Sequence, residues 1–307
     1  MTKVEDDANP LKGVLLVMAA VLVFACMDST TKHLATRYNV PLVVALRYLV
    51  NLGLLILFWG PKYGRGLYAT ERTGLVLLRA LCLAVSSLCA GLALRLMPVA
   101  ETTAIIYLSP FGVLLLAGPL LGEKVGWQGW LAAAAGFCGV LLIGRPGAGL
   151  DPLGITFATV TATFTVGYFL LSRILAKTET THAMLFHVAL LGTVLFGAML
   201  PWNWTGPPFE ILDLLLLASM GAMALGGHYL FTAAYQYAPA SLLAPVNYMH
   251  LVWAGGLGWL VFDHVPDGVS LFGLALVAAA GSGIALWTHF SRQAQKSAII
   301  AEDPVEV

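Results

Sequence analysis

GVLLVMAAVLVFACMDSTTKHLA at residues 13–35 and GITFATVTATFTVGYFLLSRILA at residues 154–176 are the stretches whose comparison decides the fold. Each fills the roughly 20 residues that an α-helix needs to cross about 30 Å of hydrocarbon at its rise of about 1.5 Å per residue. Laid on one another, they bring Gly13 to Gly154, Lys32 to Arg173 and Leu34-Ala35 to Leu175-Ala176. The same shift of 141 residues later carries Pro98 to Pro239 and Tyr107 to Tyr248, and three further residues bring Gly129 to Gly273. Hydrophobic helices resemble one another by chance, but a common offset through proline, tyrosine and cation positions marks an internal repeat.

Working outward, ten such stretches cover residues 13–34, 41–59, 73–94, 101–121, 127–143, 153–175, 181–200, 212–237, 240–261 and 268–290. They are separated by turn-forming pairs such as Gly60-Pro61, Met97-Pro98, Pro146-Gly147, Pro207-Pro208, Ala238-Pro239 and Val265-Pro266. Hydrophobic residues make up 59% of the chain and charged ones 10%, far below the roughly 25% of a soluble domain. The chain reads as a multi-pass membrane protein. With the N-terminus inside, ten Lys or Arg fall in cytoplasmic segments (residues 3, 12, 62, 65, 72, 124, 173, 177, 292 and 296) and four outside (32, 37, 95 and 145). That bias places both termini in the cytoplasm. The four cysteines, all inside spans, predict no disulfide.

Five spans per repeat is an odd number, so the second copy enters the membrane upside down. Inverted repeats of this kind build many secondary transporters, with the substrate near the midplane between the halves.

Polar groups inside the spans are few, and each charged one costs at least about 2.5 kcal/mol to insert. Asp28 and Lys32 share a face of the first helix at i,i+4, a spacing that permits a local ion pair. Asp28, His187 and His228 are the candidate proton-coupling groups, because a carboxylate or an imidazole can change protonation with the side it faces. Arg47 cannot lose its proton and must meet a carboxylate, a phosphate or helix-end carbonyls; it is the candidate anchor for an acidic substrate group. Arg79 reads as a snorkelling cation beside Arg72. Asn247 and His250 share a face of the ninth span, and His228, Thr232 and Gln236 a stripe on the eighth. Tyr107, Tyr229, Tyr248 and Trp253 could pack a planar or cationic ligand. Glu101 and Glu123, at span edges, read as structural, and Trp59, Trp127, Trp202, Trp204 and Trp287 as interface anchors.

The run from Ala93 to Ile105, ALRLMPVAETTAI, followed by Leu108-Ser109-Pro110, Leu121-Gly122-Glu123, Gly139-Val140-Leu141-Leu142-Ile143 and Arg145-Pro146-Gly147, resembles the bacterial EamA-like domain. That domain defines the ten-helix branch of the drug/metabolite transporter superfamily. Met27-Asp28-Ser29-Thr30-Thr31-Lys32 and the run from Ala244 to Trp253 look most like the branch that includes S-adenosylmethionine and riboflavin carriers. The second copy departs at Phe262-Asp263-His264-Val265-Pro266, where the first has Gly122-Glu123.

The expectation is an all-α integral membrane protein of ten helices in two inverted five-helix repeats, 12–146 and 152–290, with short cytoplasmic tails at 1–11 and 291–307. The resemblance implies a secondary carrier of the bacterial inner membrane, moving a small polar or zwitterionic metabolite by alternating access. Export of an amino-acid-like compound is placed ahead of import of a cofactor-like one such as S-adenosylmethionine or riboflavin. An intramembrane enzyme or a non-transporting scaffold is the remote alternative, since the chain holds no Gly-Lys-Ser/Thr phosphate loop, His-Glu-x-x-His motif or Gly-x-Ser-x-Gly elbow. No metal, cofactor or nucleic acid is expected; the partners are the metabolite and the bilayer, and the protein is a monomer or a homodimer.

Overall fold

A computed structural model describes residues 10–121, 127–143, 145, 149–175, 178–234, 237, 246–280 and 282–283. The expectations for Glu123, Lys124, Pro146, Lys177, Gln236, Pro239, Pro245, Trp287, residues 1–9 and the C-terminal tail lie outside them. Among the described residues all regular structure is helical. In order these are α1 (Pro10–Arg37), α2 (Val40–Tyr63), α3 (Thr73–Leu96), α4 (Val99–Ile106), α5 (Ser109–Leu121), α6 (Trp127–Ile143), α7 (Pro152–Leu175), α8 (Thr181–Asn203), α9 (Ile211–Ala234) and α10 (Met249–Phe262). A further apolar helix, α11, covers Gly268–Ala280. Six of these, α1 to α3 and α7 to α9, contain stretches long and apolar enough to cross a membrane alone.

The helix starts follow from local chemistry. Pro41 opens α2, where its missing N–H is no loss. Asp151 Oδ1 accepts from the N–H groups of Leu153 and Gly154 at the start of α7, and Thr180 Oγ1 from Ala183 N at the start of α8. The expected fourth span is broken: α4 stops at Ile106 and α5 starts at Ser109. Pro110 explains the break, because its ring clashes with the carbonyl four residues earlier, that of Ile106. A turn recurs at Tyr248, the repeat partner of Tyr107.

Packing maps onto itself when the repeats are exchanged. α1 packs on α9 and α3 on α7; α2 packs on α9 and α3 on α8; α1 packs on α10 and α4 on α7. The partners also run in opposite directions. At one end, the end of α1 and the start of α9 meet through Arg37, whose guanidinium donates to Asp213 (3.1 Å) and Glu210 (2.6 Å). Tyr38 donates to Asp213 there at 2.5 Å, and Asn39 to Thr205 at 2.6 Å. At the opposite end Glu179 accepts from the Arg72 N–H at 2.7 Å and the Glu71 N–H at 3.1 Å, at the start of α3. Glu179 is 141 residues after Tyr38, and Asp213 is 141 after Arg72, so the two seals occupy equivalent positions.

α6 and α11 meet where a Cβ on Gly139 would lie 2.8 Å from the Gly273 carbonyl oxygen, so only glycine permits this crossing. Large apolar side chains, among them Phe58, Leu215 and Leu260, stay exposed on the outer surface. A water-facing surface would not carry them, whereas one facing lipid tails does.

Candidate functional site

Between the repeats lies a cavity of about 110 Å³, lined by Met27 of α1, Arg47, Tyr48, Asn51 and Leu55 of α2, Leu83 and Ser87 of α3, Leu185 and Val188 of α8, and Ala224, Leu225 and His228 of α9. Its polar groups come mainly from α2. Arg47 and Asn51 stand one turn apart, which puts both on one face. Among the described residues no carboxylate pairs with Arg47, whose guanidinium carbon lies 4.9 Å from the Tyr48 ring centre. Tyr48 is held by stacking on Phe196 (5.7 Å), by a 3.0 Å hydrogen bond with Ser87, and by Gly192, where any Cβ would come within 2.5 Å of the ring. The Asn51 Oδ1 is buried and has no hydrogen-bond partner among the described residues. His228 is tilted against Phe24, with ring centres 5.1 Å apart. A cation, an unsatisfied amide oxygen, a phenol and an imidazole around one small space can orient a polar molecule carrying an acidic group.

A second group gathers one residue along α1. The Asp28 Oδ2 lies 3.4 Å from the His250 Nε2, at an angle that makes no hydrogen bond. The Tyr107 ring stands 5.7 Å from His250 and 5.3 Å from Tyr248, and its hydroxyl donates to the Asn247 carbonyl at 3.0 Å. These contacts join the two turns that interrupt the helices at Tyr107 and Tyr248. Trp253 packs against Val17 and Val21 with its Nε1 buried and unpartnered.

Asp28 is therefore not paired with Lys32. Lys32 reaches across to the end of α3 and donates to the Leu94 (3.0 Å) and Met97 (2.7 Å) carbonyls, which suits a cation at a helix C-terminus. His187 is buried outside the cavity lining, its Nδ1 2.8 Å from its own helix's Ala183 carbonyl. Tyr229 is 55% exposed, beside Trp59. Arg79 does not snorkel. It is 4% exposed, donating to Ser172 Oγ (2.6 Å), Tyr168 OH (2.8 Å) and the Met184 carbonyl (3.3 Å), with the Tyr168 ring 4.3 Å away.

Sequence reasoning missed Tyr48, Asn51 and Ser87. The signal for Asn51 was present, since it repeats the Arg47 face one turn on. No signal was available for Ser87, whose place in the lining depends on how α3 packs beside α2. A larger groove of about 360 Å³ between α10 and α11 is lined by Leu251, Val252, Trp259, Leu274 and similar residues, and it offers almost nothing to orient a polar ligand.

The chain is 27% identical over 297 residues to the riboflavin transporter of Vibrio cholerae serotype O1, spanning 91% of this chain and 94% of the relative. It is 24% identical over 269 residues to the pseudopaline exporter of Pseudomonas aeruginosa, 87% of this chain and 94% of the relative. Against the S-adenosylmethionine uptake transporter of Rickettsia bellii it is 27% identical over 255 residues, 82% of this chain and 86% of the relative. A crystal structure only 18% identical has the same fold, with a TM-score of 0.59 over 90% of this chain and 96% of that one. The repeat, the lipid-facing surface and the cavity between the halves thus have a common source: the EamA-like transporter family model matches twice, over residues 11–145 and 152–286, and the chain is a multi-pass membrane transporter belonging to that family.

Proposed function

We propose that the protein is a secondary carrier of the bacterial inner membrane, moving a small polar or zwitterionic metabolite by alternating access, with Arg47 holding the substrate's acidic group. The observation that carries this reading is a guanidinium that meets no carboxylate among the described residues and lines a cavity between two repeat halves. Arg79 is satisfied by two hydroxyls and a carbonyl, whereas Arg47 opens on a cavity, where an acidic ligand supplies the opposite charge. Tyr48, Asn51, Ser87 and His228 orient the rest of the molecule.

The broken helix α4/α5 counts as one span, as does the segment ending in α10, which with α6 and α11 gives ten spans in two inverted repeats. The end sealed by Arg37 and Asp213 is then the outer one, and the end sealed by Glu179 is cytoplasmic. A cytoplasmic reporter fused to the C-terminus is expected to be active; activity only from a periplasmic reporter there would overturn the ten-span count.

Two substrate readings stand. Export of an amino-acid-like compound matches a carboxylate on Arg47 beside polar groups able to receive an amine. Import of a cofactor-like compound is favoured by relatives named riboflavin transporter and S-adenosylmethionine uptake transporter. Right-side-out vesicles with and without the protein, given riboflavin, S-adenosylmethionine or a panel of amino acids, separate the two by which compound crosses and in which direction.

Transport is proton-coupled through the Asp28–His250 pair, which lies beside the cavity rather than in it. A carboxylate and an imidazole 3.4 Å apart give the site two groups that can bind a proton, so its net charge can change as it changes sides. In proteoliposomes an imposed pH gradient is expected to drive accumulation by the native protein. Asp28→Asn should retain exchange and lose accumulation. Equal accumulation by the variant would remove Asp28 from the coupling.

A further inference from the structure

Glu101 belongs to neither site, yet its side chain is 3% exposed at the start of α4. Its Oε1 lies 2.9 Å from the His264 Nε2, and its Oε2 is buried with no hydrogen-bond partner among the described residues. Lys32 of α1 stands within electrostatic range, itself tied to the α3 carbonyls and lying 5.6 Å from the Phe262 ring centre. His264 is aimed by the end of α10: Asp263 adopts the left-handed conformation (φ 52°), and the His264 N–H returns to the Gly258 carbonyl at 3.2 Å. The His264 side chain remains 38% exposed. Among the described residues this buried carboxylate of α4 faces Lys32 of α1 and the partly exposed imidazole of the segment after α10.

Two of the elements against α4 add no charge there. α6 carries no Asp, Glu, Lys, Arg or His between Trp127 and Ile143, nor does α7 between Pro152 and Ser172. α3 presents carbonyls and, in its last turn, the exposed Arg95, and α10 presents His250, already opposite Asp28. Glu101 thus has one cationic neighbour, Lys32, and one imidazole partner, His264.

We propose that Glu101, His264 and Lys32 form a proton-operated clasp that holds the Arg37 end shut. With Glu101 ionised, its carboxylate attracts the Lys32 ammonium and holds His264. When a proton passes from solvent through His264 to the carboxylate, Glu101 becomes neutral, the attraction to Lys32 is lost, and α4 can part from α1 and α10. This deepens the proton-coupled reading by giving the proton an entry at one end, apart from the Asp28–His250 pair.

The test needs no substrate. In purified full-length protein in detergent, with Cys26, Cys82, Cys89 and Cys138 replaced by alanine, Val99→Cys introduces a thiol beneath the clasp, where Val99 is 1% exposed against Leu94 and Ala254. A polar maleimide reports its exposure. Adding Glu101→Gln, which imitates the protonated group, is expected to speed labelling at least about tenfold at a fixed pH, the loss of one charge-assisted bond. His264→Gln, on the exposed segment, should speed it as well while leaving the core packing unchanged. A single size-exclusion peak and equal labelling after denaturation exclude misfolding. Labelling rates unchanged by both variants would overturn the clasp, whatever the proteoliposomes do. Faster labelling together with gradient-independent transport would keep the clasp and sink the coupling reading.

Discussion

Replacing Arg47 with alanine is expected to raise the apparent KM about 10- to 100-fold, the equivalent of one charge-assisted hydrogen bond of about 1.5–3 kcal/mol. The loss should fall on substrates with an acidic group and spare neutral analogues. Arg47→Lys keeps the charge but not the planar fork, so it should recover only part of the affinity. Asn51→Leu, which fills the same face with an apolar group of similar size, should weaken binding less, because it removes a neutral acceptor. The measurement is concentration-dependent uptake in proteoliposomes, with protein amount and thermal midpoint checked for each variant. The Arg47 site has little else to stabilise, so the melting temperature should change little. Native-like kinetics for Arg47→Ala would remove the cavity from the substrate path.

Much of this was readable from the chain because membrane insertion and duplication both leave linear marks. Span length follows from bilayer thickness, and the repeat from a constant offset. The turn at Tyr107 is not legible there, since the fourth span reads unbroken over 101–121 and a proline such as Pro61 or Pro201 can also sit inside a continuing helix. Inferences about partners failed too. The i,i+4 spacing allowed Asp28 to meet Lys32, but it could not reveal that the end of α3 offers Lys32 two free carbonyls or that α10 brings His250 to Asp28. Glu101 matched a helix-start carboxylate, and only the fold shows it enclosed between α1 and His264. His228 and Tyr229 are neighbours in sequence, yet consecutive helical residues point about 100° apart, so one lines the cavity and the other is 55% exposed.

Arg79 shows the same limit and gives the largest expected effect on stability. Its guanidinium is buried among α3, α7 and α8, with two hydroxyls, one carbonyl and the Tyr168 ring in place of a carboxylate. Tyr168→Leu removes the ring and one acceptor together and leaves a buried charge poorly satisfied, at a cost of about 3 kcal/mol or more. Arg79→Met should cost far less, because an apolar chain of similar length replaces both the charge and its need for partners. The double variant should then be more stable than Tyr168→Leu alone, a reversal that additive contacts cannot produce. Thermal or denaturant unfolding in detergent reads all three. Leu83, one turn beyond Arg79 on α3, lines the cavity, so transport by Arg79→Met tests separately whether the guanidinium does more than position that wall. If Arg79→Met proves as destabilising as Tyr168→Leu, the charge itself contributes net stability, and the argument from unsatisfied donors fails.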